Sequence, residues 1–339
     1  IKKGSIYDLE FAESRINLER DKKGIKTKSL LKTKGKINFS QIQHLSRLFN
    51  LNFSKLKNID GTVDLKTKID FDVNNKYKIK NLLYSTEGDI LYLEIDTKES
   101  RHIKEYLPEY NPKLILKNAK VKINHSKFEQ VVEFAGLIKA KDYFDNFKIK
   151  RIYNYNDKSY ELIGNLDLTN SKLKISKLNY NKNYKKKSKI IFNIKFFLNK
   201  YYNIVNLNFS ADKTNILLSN IKLNSNFEVE DFEKLEIKTY KNDIKNNDFL
   251  VNKSKNIIIL GKIFDAQPLL KTLYQKSDKK IFSKKFNSKI KINFDKALTG
   301  TKDDVSNIGM IASIKDGTYV KLSLKGNFSE NEIVEMSIY

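Results

Sequence analysis

The stretch GTVDLKTKIDFDV, Gly61–Val73, decides how the rest of the chain is read. Taken in twos, it sets Gly61, Val63, Leu65, Thr67, Ile69, Phe71 and Val73 on one side, and Thr62, Asp64, Lys66, Lys68, Asp70 and Asp72 on the other. A side-chain period of two belongs to a β-strand with one face out of water and the other solvated. At ~3.3 Å per residue such a strand would span roughly 40 Å, well beyond the usual strand of about 5–6 residues.

The same pattern recurs along the chain. Ile290/Ile292/Phe294, Ile308/Met310/Ala312/Ile314 and Val320/Leu322/Leu324 each fall in phase. About fifteen strands with polar turns predict an antiparallel meander. The expected fold is all-β: a long antiparallel meander curled into an elongated trough, or β-groove, with a few short helices. Three helices are expected. Ser40–Asn50 carries Ile42, Leu45, Leu48 and Phe49 on one face, with Ser40 as N-cap; Ser100–Leu107 stops at Pro108. After Asp265, which can cap a helix start, Leu269, Leu270, Leu273 and Tyr274 share a face. Lys172–Tyr180 reads as a strand. No fixed repeat length supports blades or solenoid coils.

Across 339 residues, 40% are hydrophobic and 31% charged, a balance suited to sheets wetted on one side. With 12 Gly and 3 Pro there is little room for long linkers. Residues 1–339 therefore read as one continuous segment, with possible subdivisions at 1–118, 119–252 and 253–339. The first residue is Ile1, which reads as an interior piece of a longer protein.

The net charge of +25 raises the question of nucleic acid or anionic membrane. Arginine, the side chain suited to bidentate phosphate contacts, occupies only Arg15, Arg20, Arg47, Arg101 and Arg151; the other 60 basic residues are lysine. Abundant Lys, Asn, Ile and Tyr matches the bias of AT-rich coding, and no nucleic-acid partner is expected. Cysteine is absent, which removes disulfides, thiolate metal sites and thiol nucleophiles. His44, His102 and His125 lie at no metal-ligand spacing. Asp64, Asp70 and Asp72 share a strand face with Lys66 and Lys68, as a solvated charge ladder does. With no phosphate loop or nucleophile elbow either, no enzyme activity, cofactor or metal is expected.

Three runs resemble one family. NLDLTNSKLKISKLNYNK (Asn165–Lys182) resembles a segment of the AsmA-like superfamily, in its large YhdP-type branch. There a DLT-x-A strand leads to a second strand that ends in a Gly-aromatic-x-Lys turn. IILGKIFDAQPLLKTL (Ile258–Leu273) resembles that branch's G-x-x-hydrophobic-D-A-x-P element, and IDGTVDLKTKIDFDV (Ile59–Val73) its glycine-led strand. Asn179 stands where glycine is usual, and Asn183 and Tyr184 stand where Pro followed by Ala and Gly is common; these departures bear on turn geometry.

The resemblance implies a periplasmic β-groove, anchored to the bacterial inner membrane by a segment outside this sequence. It further implies phospholipid transfer between inner and outer membranes, with phospholipid acyl chains and envelope proteins as partners. On that reading Val63, Leu65, Ile69, Phe71, Val73, Ile290, Ile292, Phe294, Val320, Leu322 and Leu324 line the groove. Lys185, Lys186, Lys187 and Lys189 of the KKKSK run contact anionic headgroups. The alternative is a structural β-sandwich scaffold of the envelope, in which the same apolar faces close on each other.

Overall fold

The computed structural model describes residues 3–6, 8–22, 24–49, 56–197, 200–273, 282–301, 303–328 and 332–338. Strand makes up 72% and helix 7%, in a long and mostly antiparallel meander. The chain divides into two compact units. One comprises Ile1–Lys104 with Glu109–Asn170, the other Glu105–Pro108 with Ser171–Tyr339.

The first unit holds β1 (Lys3–Ile6), β2 (Leu9–Asp21), β3 (Gly24–Asn38), β4 (Leu56–Asn74) and β5 (Ile79–Thr97). It continues with β6 (Lys113–His125), β7 (Glu129–Ala140), β8 (Tyr143–Asn154) and β9 (Ser159–Asp167). Each strand pairs antiparallel with the next in sequence. Helix α1 (Phe39–Phe49) joins β3 to β4, and α2 (Arg101–Tyr106) joins β5 to β6. Strands β4 and β5 reach 19 residues each, roughly 60 Å at ~3.3 Å per residue.

The N-cap of α1 is Asn38, not Ser40. Its Oδ1 accepts from Gln41 N at 3.0 Å while Gln41 Oε1 accepts from Asn38 N at 2.9 Å, a reciprocal capping box. The expected α1 face is described only as far as Ile42, because the side chains of Leu45, Leu48 and Phe49, and Asn50 itself, lie outside the described residues. Ser100 caps α2, its Oγ accepting from Ile103 N at 3.3 Å.

The second unit opens with β10 (Leu173–Ile175) and β11 (Tyr180–Lys182), a hairpin around the 3-10 turn Ser176–Leu178. This replaces the single strand expected over Lys172–Tyr180. Asn179 turns the chain with φ 50°, the left-handed region, which asparagine tolerates better than most residues. The glycine-to-asparagine departure is thereby accommodated. Strands β12 (Ser188–Phe197), β13 (Tyr201–Ala211), β14 (Thr214–Asn224), β15 (Val229–Asp231), β16 (Lys234–Lys241), β17 (Ile244–Lys253) and β18 (Ile257–Asp265) follow. After α3 (Gln267–Leu273) come β19 (Ser288–Leu298), β20 (Val305–Lys315), β21 (Thr318–Asn327) and β22 (Ile333–Ile338). Among the described residues, pairing is antiparallel except for the parallel β18–β19 ladder and an isolated parallel bridge between Val229 and Phe282. In α3 Leu269 and Leu270 are exposed; the Leu273 side chain and Tyr274 lie outside the described residues.

Candidate functional site: the apolar face of each unit

In the first unit β4 keeps the alternation read from sequence. Val63 is buried, Leu65, Ile69, Phe71 and Val73 are half-buried, and Asp64, Lys66, Lys68 and Asp70 are exposed. The polar side is a cross-strand ladder, with Lys34 Nζ 3.4 Å from Asp64 and Lys66 Nζ 4.0 Å from Glu87. The apolar side extends through directly opposed pairs: Val63 with Ile90, Ile90 with Ala119, Val121 with Phe134, and Gly136 with Phe147. Directly opposed residues share a face. Gly136 is required by close approach, since a Cβ there would lie 2.5 Å from Ala119 Cα.

The resulting cluster centres on Ile59, Val63, Ile90, Leu93, Leu116, Ala119 and Phe147, with Phe39 and Ile42 of α1 packed against it. Its other members come from this same sheet. Among the described residues no second sheet contributes to it. Helix α1 therefore covers the Ile59–Val63 end, and the Ile69–Val73 end of the same face stays half-buried.

Toward that second end the face changes character. Tyr84 and His125 stack with centroids 4.6 Å apart, and Tyr155 Oη lies 3.0 Å from His125 Nδ1. Gln130 Nε2 donates to Tyr84 Oη at 2.7 Å, and Arg151 Nη2 donates to Gln130 Oε1. Tyr153 stacks on Tyr160 at 4.4 Å. Burial holds His125 below its ordinary pKa, so the imidazole stays neutral, and pushes Tyr84 and Tyr155 up, so both phenols stay protonated. Sequence spacing treated His125 as isolated. The register supplies its partners from β5 and the turn after β8.

In the second unit Ile290 and Phe294 are buried and Ile292 half-buried. They sit between Ile257, Ile259 and Gly261 of β18 and Ala312, Met310 and Ile308 of β20. The Phe294 ring lies over Gly261, whose absent Cβ would fall 2.5 Å from Cε1. Leu322 and Leu324, half-buried, oppose Ala312 and Met310. Val320 departs from the expected phase. A register shift at Ser313/Ile314 leaves it as the extra residue of a bulge, 42% exposed.

Lys185, Lys186, Lys187 and Lys189 are all exposed. Lys182 is the contrast that sequence reasoning missed. It is 2% exposed, and its ammonium donates to the carbonyls of Ser171 at 2.6 Å and Asn183 at 3.1 Å.

Two of the motif runs meet inside this unit. Asp265, 1% exposed, accepts from Asn179 Nδ2 at 2.9 Å, Asn246 Nδ2 at 3.1 Å and Gln267 N at 3.2 Å. Its own N–H donates to Asn247 Oδ1 at 2.9 Å. Asn246 and Asn247 both donate to the Leu178 carbonyl, at 3.0 and 2.9 Å. Thr239 bridges the two asparagines. The expected capping role of Asp265 at α3 is present, through Gln267 N, and the same carboxylate also pins the β10–β11 hairpin.

Among the described residues no cluster of His, Cys, Asp or Glu could hold a metal ion, and no helix is long and apolar enough to cross a membrane. Neither a family model, nor a curated protein, nor a solved structure matches this chain.

Proposed function

We propose that the chain is a non-enzymatic lipid conduit, in which acyl chains lie along the half-buried part of the apolar faces. The observation that carries this reading is the first unit's cluster, drawn from one face of one sheet and one short helix. A sandwich needs a second inner face about 10 Å away. The energetics favour passage over trapping. Fully burying a Leu, Ile, Val or Phe side chain is worth about 1.5–3 kcal/mol, so finishing the burial of Leu65, Ile69, Phe71 and Val73 contributes on the order of 3–6 kcal/mol in total. That corresponds to retention between several millimolar and some tens of micromolar, on the order of weak binding, at each such stretch. Because apolar burial is non-directional, a chain can shift by one methylene with little change in energy. The resemblance to YhdP-type proteins, and with it transfer of phospholipid across a periplasm, belongs to this proposal.

The scaffold reading has one observation in its favour: Val63, Ile290 and Phe294 are 1%, 4% and 7% exposed, as core residues are. Leu65 and Leu322 are the residues that separate the two, being half-buried on the same faces. The test is mass spectrometry of lipid extracted from the purified chain and from its Leu65→Asp and Leu322→Asp variants. A conduit yields phospholipid with the parent chain and several-fold less with folded variants. Lipid-free parent protein together with unfolded variants would assign the faces to a closed core.

A further inference from the structure

Among the arginines whose side chains are described, Arg151 stands apart. Arg15, Arg20 and Arg101 are exposed, whereas Arg151 projects from β8 onto the apolar face of the first unit, between Val132 of β7 and Leu162 of β9. Its guanidinium donates to Gln130 Oε1 and lies 5.9 Å from the Tyr160 ring centre. Its Nε is buried without a partner, and among the described residues no carboxylate pairs with it. A partly desolvated cation facing only neutral groups is a costly arrangement that an anion relieves. On one side stand Tyr84, Tyr153, Tyr155 and Tyr160; on the other begin Ile149 and Phe147. Four residues of strand separate Arg151 from Phe147, about 13 Å. The guanidinium thus sits at the border between a hydroxyl-rich band and an acyl-compatible surface.

We propose that Arg151 anchors the phosphate group of an amphiphile whose apolar tail lies along β8 toward Phe147. The inference rests on the lipid reading above and refines it, since a fixed phosphate site turns a uniform path into one with a defined resting position. The planar fork of arginine matches phosphate oxygens through the N–H groups not given to Gln130.

The test uses the full chain and three probes: a short-chain phosphatidylglycerol below its micelle concentration, the matching diacylglycerol, and inorganic phosphate. Calorimetry should give about tenfold tighter binding of the phospholipid than of the diacylglycerol. Arg151→Gln should erase that preference and leave diacylglycerol binding unchanged, and Arg151→Lys, which keeps the charge without the fork, should fall between. Circular dichroism melting confirms that both variants fold. Competition by inorganic phosphate in the parent but not in Arg151→Gln would assign the site to the anion itself. Its absence would assign the site to the lipid headgroup. Unchanged phospholipid binding in Arg151→Gln overturns the anchor and spares the conduit. A parent chain that binds neither lipid overturns the conduit, and the anchor with it.

Discussion

At the scale of single residues, the Asp265 network shows what an alternating pattern can and cannot reveal. The capping role of Asp265 was legible because Asp-Ala-x-Pro before an apolar run is a helix-start signal. Asn246 and Asn247 were not legible as partners, because consecutive strand residues ought to face opposite ways. The register slip at Thr239/Tyr240 makes Asn246 the extra residue and brings both amides to the same side. Asn247→Ala removes a donor to the Leu178 carbonyl and the acceptor for Asp265 N, and should cost about 2–4 kcal/mol. Urea unfolding should find Asp265→Ala comparable, and the double variant well short of the sum. His125 supplies a pH dependence. Its folded pKa is lowered from 6.5 by burial against Tyr84 and Tyr155, with Arg151 beyond Gln130. The folded state therefore binds fewer protons than the unfolded one below that value, and stability present above pH 6.5 is lost as pH falls toward the folded pKa. Urea midpoints at about pH 7.5 and 5.5 should differ in this direction, and less so in His125→Gln.

At the scale of elements, strand existence was readable and strand continuity was not. The apolar alternation breaks phase between Leu83 and Gly88 and between Leu116 and Val121, yet each break lies inside one unbroken strand, β5 and β6. The cause is physical: bulges at Thr62/Val63, Asp70/Asp72 and Lys117/Lys120 absorb the phase breaks without ending the ladder. The bulge at Val320 works in reverse, exposing a residue that simple alternation would bury. Helix α1 deserves separate weight because it covers one end of the apolar face. Its Asn38–Gln41 box should be worth about 1 kcal/mol, so Asn38→Ala should speed hydrogen exchange of the α1 amides roughly fivefold while β4–β6 amides keep their protection.

At the scale of the whole molecule, the period-two pattern revealed a one-sided meander, yet it could not say whether the apolar faces meet each other. That depends on which elements lie opposite, information carried by the register and by α1 and not by the phase of any single strand. Charge acts at this scale too. A net +25, almost all of it lysine, should draw the chain to anionic vesicles at low salt and release it as the Debye length shrinks toward about 3 Å at 1 M. Co-sedimentation across a salt series should show that loss. Finally, sequence-adjacent pairing in the first unit bears on how such a chain can change length. Removing or adding one hairpin there, two strands at a time, restores direction and leaves every other apolar residue on its original side. Removing one strand reverses all that follows. The parallel step from β18 to β19 is an exception, a place where the chain resets its heading and an odd number of strands can be absorbed. A fold with this grammar gains or loses strands in even increments, so duplication of a hairpin can widen the sheet while every later residue keeps its side.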